Sequence, residues 1–159
     1  MHIHSWVLLN AADQARSAAL QVVNRTRPFG CDDAQVGGRF SGALADRYEP
    51  RADPRNLEPC PNACDGSNAC LAWLGTRRRI KWPTEWVPFD GDVAPVADVL
   101  ARIHWVDLPH SVLDEGGVAI QVDRRDGGGQ TPEPLWRLTT ARELRESTSG
   151  LVVVVDLHV

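Results

Sequence analysis

Residues 151–159 read LVVVVDLHV, and the fold turns on whether this stretch is only a buried strand or a strand that ends in a site. The β-branched run Val152–Val155 predicts a strand. Side chains alternate along a strand with period two, so Asp156 and His158 share one face, and Leu151, Val153, Val155 and Leu157 take the other, helix-covered one. The opposite end of the chain answers this pattern. In HIHSWVLL, residues 2–9, His2 and His4 also share a face. If the first and last strands run side by side and antiparallel, His2 and His4 come opposite Asp156 and His158 on the open face of the sheet. Three imidazoles and one carboxylate suit Zn²⁺ or another borderline cation. The competing reading is a set of polar side chains on a solvated strand end, with His2 the weakest member because it adjoins the terminus.

Working inward, Asn10 is placed to cap a helix and Asp13 suits the positive end of its dipole. Ala12, Ala15, Ala19, Leu20, Val22 and Val23 form its apolar stripe, and Pro28 stops it. From Gly30 to about Asp92 periodicity disappears among prolines 50, 54, 59, 61, 83 and 88. So long an irregular excursion needs something besides secondary structure to order it. A short helix is expected near 94–103, with Asp92 as cap and Pro95 in the first turn. PHSVLD and VAIQVDRR flank EGG as a hairpin, whose glycines can supply a positive φ. GGGQTPEP reads as a loop. Thr140 and Glu143 form a capping-box pattern opening a helix to about Ser147, ended by Gly150. The order strand, helix, insertion, strand, strand, helix, strand predicts an α+β fold of the ferredoxin-like, split βαβ kind. Residues 1–29 supply its first strand and helix, 30–92 the irregular insertion, and 93–159 the remainder.

The totals fit one compact unit. The chain has 159 residues, 43% hydrophobic and 24% charged, which excludes a disordered or membrane-embedded class. No apolar run approaches the roughly 18 residues of a spanning helix, and MHIHSWVLLN lacks a secretory pattern, so a soluble, cytoplasmic protein without a membrane partner is expected. A net charge of -4 argues against coating nucleic acid through overall charge.

The insertion holds the remaining candidates. Cys60, Cys64 and Cys70 lie within CPNACDGSNAC, and with Cys31 or a histidine they form a candidate structural zinc site; free thiols or a disulfide are the alternatives. The spacing is looser than two CxxC pairs. Arg77, Arg78, Arg79 and Lys81 next to Trp82 form a candidate patch for single-stranded nucleic acid, where cations meet phosphates and an indole stacks on bases. The bland reading is a solvated charge run beside a packing tryptophan. In QVGGRFSG, Gly37 and Gly38 permit a tight turn that presents Arg39 to an anion, although the lysine and hydroxyl of a phosphate loop are missing. No nucleophile elbow, HExxH or paired-carboxylate motif stands out.

Together, HSW, GGRFSG, DPRNLEPC with CDG, RRIKWPTEW and VVVDLHV resemble a group of uncharacterised small proteins encoded by actinobacterial phages. That group has a GGRW-like motif, a cysteine-rich zinc-ribbon-like loop, a KWPTQW-like stretch and a terminal VVDxH strand. The resemblance covers most of the chain and points to Gly37, Gly38, Arg39, Cys60, Cys64, Cys70, Trp82, Pro83, Trp86, Asp156 and His158. Phe40 departs from it, standing in place of tryptophan, and CxxxC plus one cysteine replaces the usual knuckles. It implies a phage accessory gene.

The leading expectation is therefore a non-enzymatic accessory protein binding a host protein or a small ligand during infection, through Arg39, His4, Asp156 and His158. One alternative is a metal-dependent phosphodiesterase or nuclease using His4, Asp156 and His158, with Arg39 steadying a phosphate. Another is single-stranded nucleic-acid binding by the insertion.

Overall fold

In the computed structural model the described residues are 1–10, 13–44, 69, 90–101, 103, 106–122 and 133–159. They form an α+β fold with a mixed sheet. Strand β1 (His2–Leu9) leads to helix α1 (Ala15–Thr26), then β2 (Asp33–Val36), β3 (Val93–Pro95), helix α2 (Val96–Ala101), β4 (Ser111–Leu113), β5 (Ala119–Val122), helix α3 (Glu133–Glu146) and β6 (Leu151–His158). The strand order is β2-β6-β1-β4-β5, and β3 also pairs with β6.

The valine run has a simple cause. Val152 through Leu157 are all buried, because β6 has β1 along one edge, β2 and β3 along the other, and helices on both faces. A strand covered on both sides reads as continuously apolar rather than alternating. On one face Val152 and Val154 pack with Trp6, Leu8, Val99 of α2 and Leu144 of α3. On the other, Val153, Val155 and Leu157 pack with Ala19, Val22 and Val23 of α1. Each large apolar side chain buried this way is worth about 1.5–3 kcal/mol.

The sheet differs from the ferredoxin-like expectation. There the second hairpin strand would stand beside β1; instead the first one, β4, does so, parallel, with Ser5 opposite Ser111. The two serine hydroxyls, buried at the pairing, bond at 2.6 Å. Nor is the insertion wholly irregular. It contributes β2, which closes the outer edge of β6 by pairing Asp33 with His158 and Gln35 with Asp156.

Three local expectations change as well. Asn10 does not cap α1: its backbone N–H and side-chain amide both donate to the Glu115 carboxylate, each at 2.6 Å, tying β1 to the β4–β5 turn. Gln14, in a left-handed conformation, precedes α1 without a side-chain cap. Helix α3 begins at Glu133, so Thr140 lies in its interior, buried, with a hydroxyl that has no hydrogen-bond partner among the described residues. What seats α3 is further upstream, where the Trp136 indole donates to the Pro109 carbonyl at 3.0 Å and Arg137 donates to the Ile103 and Val106 carbonyls. Pro95 ends β3 rather than opening α2. The β4–β5 hairpin does form, with Gly117 at φ 77°. Among the described residues no helix is long and apolar enough to cross a membrane.

Candidate functional site

The β1–β6 pairing places His2 opposite His158 and His4 opposite Asp156. Adding β2 makes two cross-strand rows on one sheet face: Asp33, His158 and His2, then Gln35, Asp156 and His4. This face is not open, as the sequence reading expected. The turn Gly38–Phe40 folds over its inner row, leaving His4 and Asp156 only 7% and 6% exposed.

Asp156 organises the corner. One carboxylate oxygen bonds His2 Nδ1 at 2.9 Å, and the other accepts the Arg39 backbone N–H at 3.0 Å. The turn can come this close because residue 38 is glycine: a Cβ there would lie 2.6 Å from the Asp156 side chain, at a φ of +53°. The preceding glycine serves a second carboxylate. A Cβ on Gly37 would lie 2.6 Å from Asp92, whose carboxylate accepts Ser41 Oγ at 3.0 Å and the Gly42 N–H at 2.7 Å. Asp92, expected as a helix cap, thus clamps the loop that presents Arg39.

The outer row faces a cleft of about 530 Å³ lined by His2, Asp33, Gln35, Arg39, Asp156 and His158, among others. His158 Nδ1 bonds Asp32 at 2.8 Å, an interaction that holds the Asp32 carboxyl below its usual range. The rings of His2 and His158 meet edge to face with centroids 5.1 Å apart. Arg39 is exposed, and among the described residues no ion pair engages its guanidinium.

His4 belongs to the packing. Its Nε2 accepts the Trp6 indole N–H at 3.2 Å, and Phe40 stacks on it at 4.7 Å. With Nε2 accepting, the neutral ring carries its proton on Nδ1, so His4 has no free lone pair for a ligand. Burial lowers its pKa from 6.5 to about 4, with the Leu108 backbone and the Asp156 charge opposing the shift. His4 is therefore neutral in the fold, and its contribution is complete above pH 6.5 and lost as pH falls through about 4. At about 1.4 kcal/mol per pH unit the loss approaches ~3 kcal/mol. Urea unfolding at pH 7.5 and pH 4 is expected to show a difference smaller by about that amount in His4→Gln; equal differences in both proteins would refute it.

The other sequence candidates separate. Cys31 is buried in the cluster beneath α1, and this burial raises its thiol pKa. Cys60, Cys64 and Cys70, like Arg77, Arg78, Arg79, Lys81 and Trp82, lie outside the described residues. Among the described residues no three His, Cys, Asp or Glu side chains stand in metal-ligand geometry. Sequence reading missed Asp32, Asp33 and Gln35 and undervalued His2. Their signal, the alternation in DAQV directly after Asp32, is too short to tell a strand from a loop. The chain matches no protein family, no curated protein and no solved structure.

Proposed function

We propose that the protein is a non-enzymatic accessory protein that binds a small polar ligand in the cleft at the β2-β6-β1 end. The observation that carries this is the Asp156 hub, a buried carboxylate that fixes both the glycine turn bearing Arg39 and the ring of His2 at the rim of one cleft. A wet strand end needs no such scaffold. Placing functional groups on rigid elements, each oriented by a second bond, is what a preformed polar site requires. The lining offers a guanidinium, two imidazoles, a side-chain amide and carboxylates, a mixture suited to a ligand with both donors and acceptors. The role in phage infection is inferred from the resemblance of the motifs quoted above. A phosphodiesterase built on His4 is less well supported, because the His4 Nε2 lone pair is taken by the Trp6 indole.

Ligand binding stabilises the folded state. At a hundred times its dissociation constant a ligand adds about 2.7 kcal/mol, or about 5–10 °C in melting temperature for a domain of this size. Thermal melts against amino acids, nucleotides and sugar phosphates are expected to reveal at least one such shift, lost in Arg39→Ala. A panel without shifts, or shifts that Arg39→Ala leaves intact, would sink the reading.

A further inference from the structure

We infer that the cleft binds a zwitterion of the α-amino acid kind, free or as the two ends of a short peptide, with its carboxylate on the Arg39 guanidinium and its ammonium on the Asp33 carboxylate. The inference rests on the reading of the cleft as a binding site and names the class of ligand it takes.

The charges of the lining decide the class. Asp156 is already matched, since His2 Nδ1 and the Arg39 backbone N–H occupy its two carboxylate oxygens. Arg39 and Asp33 differ from it. Both side chains line the cleft and are exposed, and among the described residues neither has an ion-pair partner. The Asp33 carboxylate accepts a neighbouring backbone N–H, that of Ala34 at 2.8 Å. Nor do the two pair with each other, so the cleft holds one unmatched charge of each sign.

Their places in the fold keep these charges apart. Asp33 opens β2 in the outer row with His158 and His2, whereas the turn bearing Arg39 is tied by its backbone to Asp156 in the inner row. Successive rows on one strand face are about 6.6–6.8 Å apart. A ligand carrying both complementary charges can bridge them. Charge-assisted hydrogen bonds at each end are the strong kind, and the planar fork of a guanidinium fits a carboxylate.

Other classes match less of the lining. A phosphate ester brings its negative charges to one guanidinium and meets the Asp33 and Asp156 carboxylates; a simple amine leaves Arg39 beside a charge of its own sign. Gln35, next to Asp33 on the same face of β2, adds an amide that both donates and accepts, which suits a peptide group or a polar side chain. The volume of about 530 Å³ leaves room for such a group beyond the two charged ends.

The test is calorimetric titration of the full chain with L-alanine, L-glutamine, L-phenylalanine and alanyl-alanine. Each is compared with its amide, which lacks the carboxylate, and its N-acetyl form, which lacks the ammonium; adenosine monophosphate is the phosphate-bearing control. The expected result is one zwitterion per chain, weakened about 10–100-fold by either modification. In Arg39→Ala the free form and its amide bind alike. In Asp33→Asn, which keeps an oxygen for the Ala34 N–H, the free form and its N-acetyl form bind alike. Binding by the single amino acids alone assigns a free amino acid, and binding by the dipeptide alone a peptide; both support the proposal. An N-acetyl form that binds the wild type as tightly as its parent overturns it, as does a preference for the free amine that survives Asp33→Asn. If adenosine monophosphate or another member of the melt panel binds through Arg39 and no zwitterion does, the ligand class falls and the cleft reading stands; if nothing binds, both fall.

Discussion

Trp6→Ala is expected to unfold more easily than the wild type by about 3–5 kcal/mol, the range for removing a fully buried large aromatic side chain. Trp6 has no exposed surface and sits in the cluster shared by β1, β6, α2 and α3. For a domain of this size the loss lowers the melting temperature by about 10 °C. The indole adds a polar role to the packing one, because its N–H is the donor that occupies His4 Nε2. Trp6→Phe keeps most of the apolar contact and leaves that nitrogen unpaired in the interior, which costs about 1–3 kcal/mol. Chemical denaturation of both variants checks the pair. If Trp6→Phe matched the wild type, the indole bond would be idle and His4 would be free to serve as a ligand after all.

Gly38→Val is expected to cost about 4 kcal/mol and to abolish binding in the cleft. Two effects combine. A β-branched residue at a φ of +53° is strained by about 1–3 kcal/mol, and its Cβ would fall 2.6 Å from Asp156, displacing a buried carboxylate from its partners at about 1–3 kcal/mol more. Gly42→Val is the matched control, with a φ of +85° and nothing within 4 Å of a Cβ, so it carries the strain alone. Melts and ligand titrations of the two variants separate backbone strain from loss of the Asp156 hub. Equal effects on binding would mean that the approach of residue 38 to Asp156 is incidental.

Much of this corner is legible in the sequence because strand alternation is a strict period. The facing of His2 and His4 to His158 and Asp156 follows from two terminal strands of matched pattern, and the register confirms it. The side on which helix α1 packs follows from the same alternation. What escapes is long-range. An unbroken VVVV already signals burial on both faces, yet nothing local says that Asp33–Val36, far ahead of β6 in the chain, will pair with it. Asp92 looks like a helix cap because Asp at that spacing often is one; its actual partners, Ser41 and Gly42, are distant in the chain. Thr140 and Glu143 imitate a helix start, but the helix begins at Glu133, seated by Trp136 and Arg137 on carbonyls that no local pattern reveals. His4 and His2 look alike as letters. They differ because Trp6 and Phe40 enclose one while the cleft leaves the other at its rim.

The most direct test of the cleft is an amide and imidazole nuclear magnetic resonance titration of the full chain with the amino acids, nucleotides and sugar phosphates of the melt panel. Saturable shifts of His2, Asp33, Arg39, Asp156 and His158 together, with the His4 ring unmoved, are the predicted result. Shifts confined to other parts of the chain, or none, would contradict the account and return LVVVVDLHV to a strand that simply ends in water.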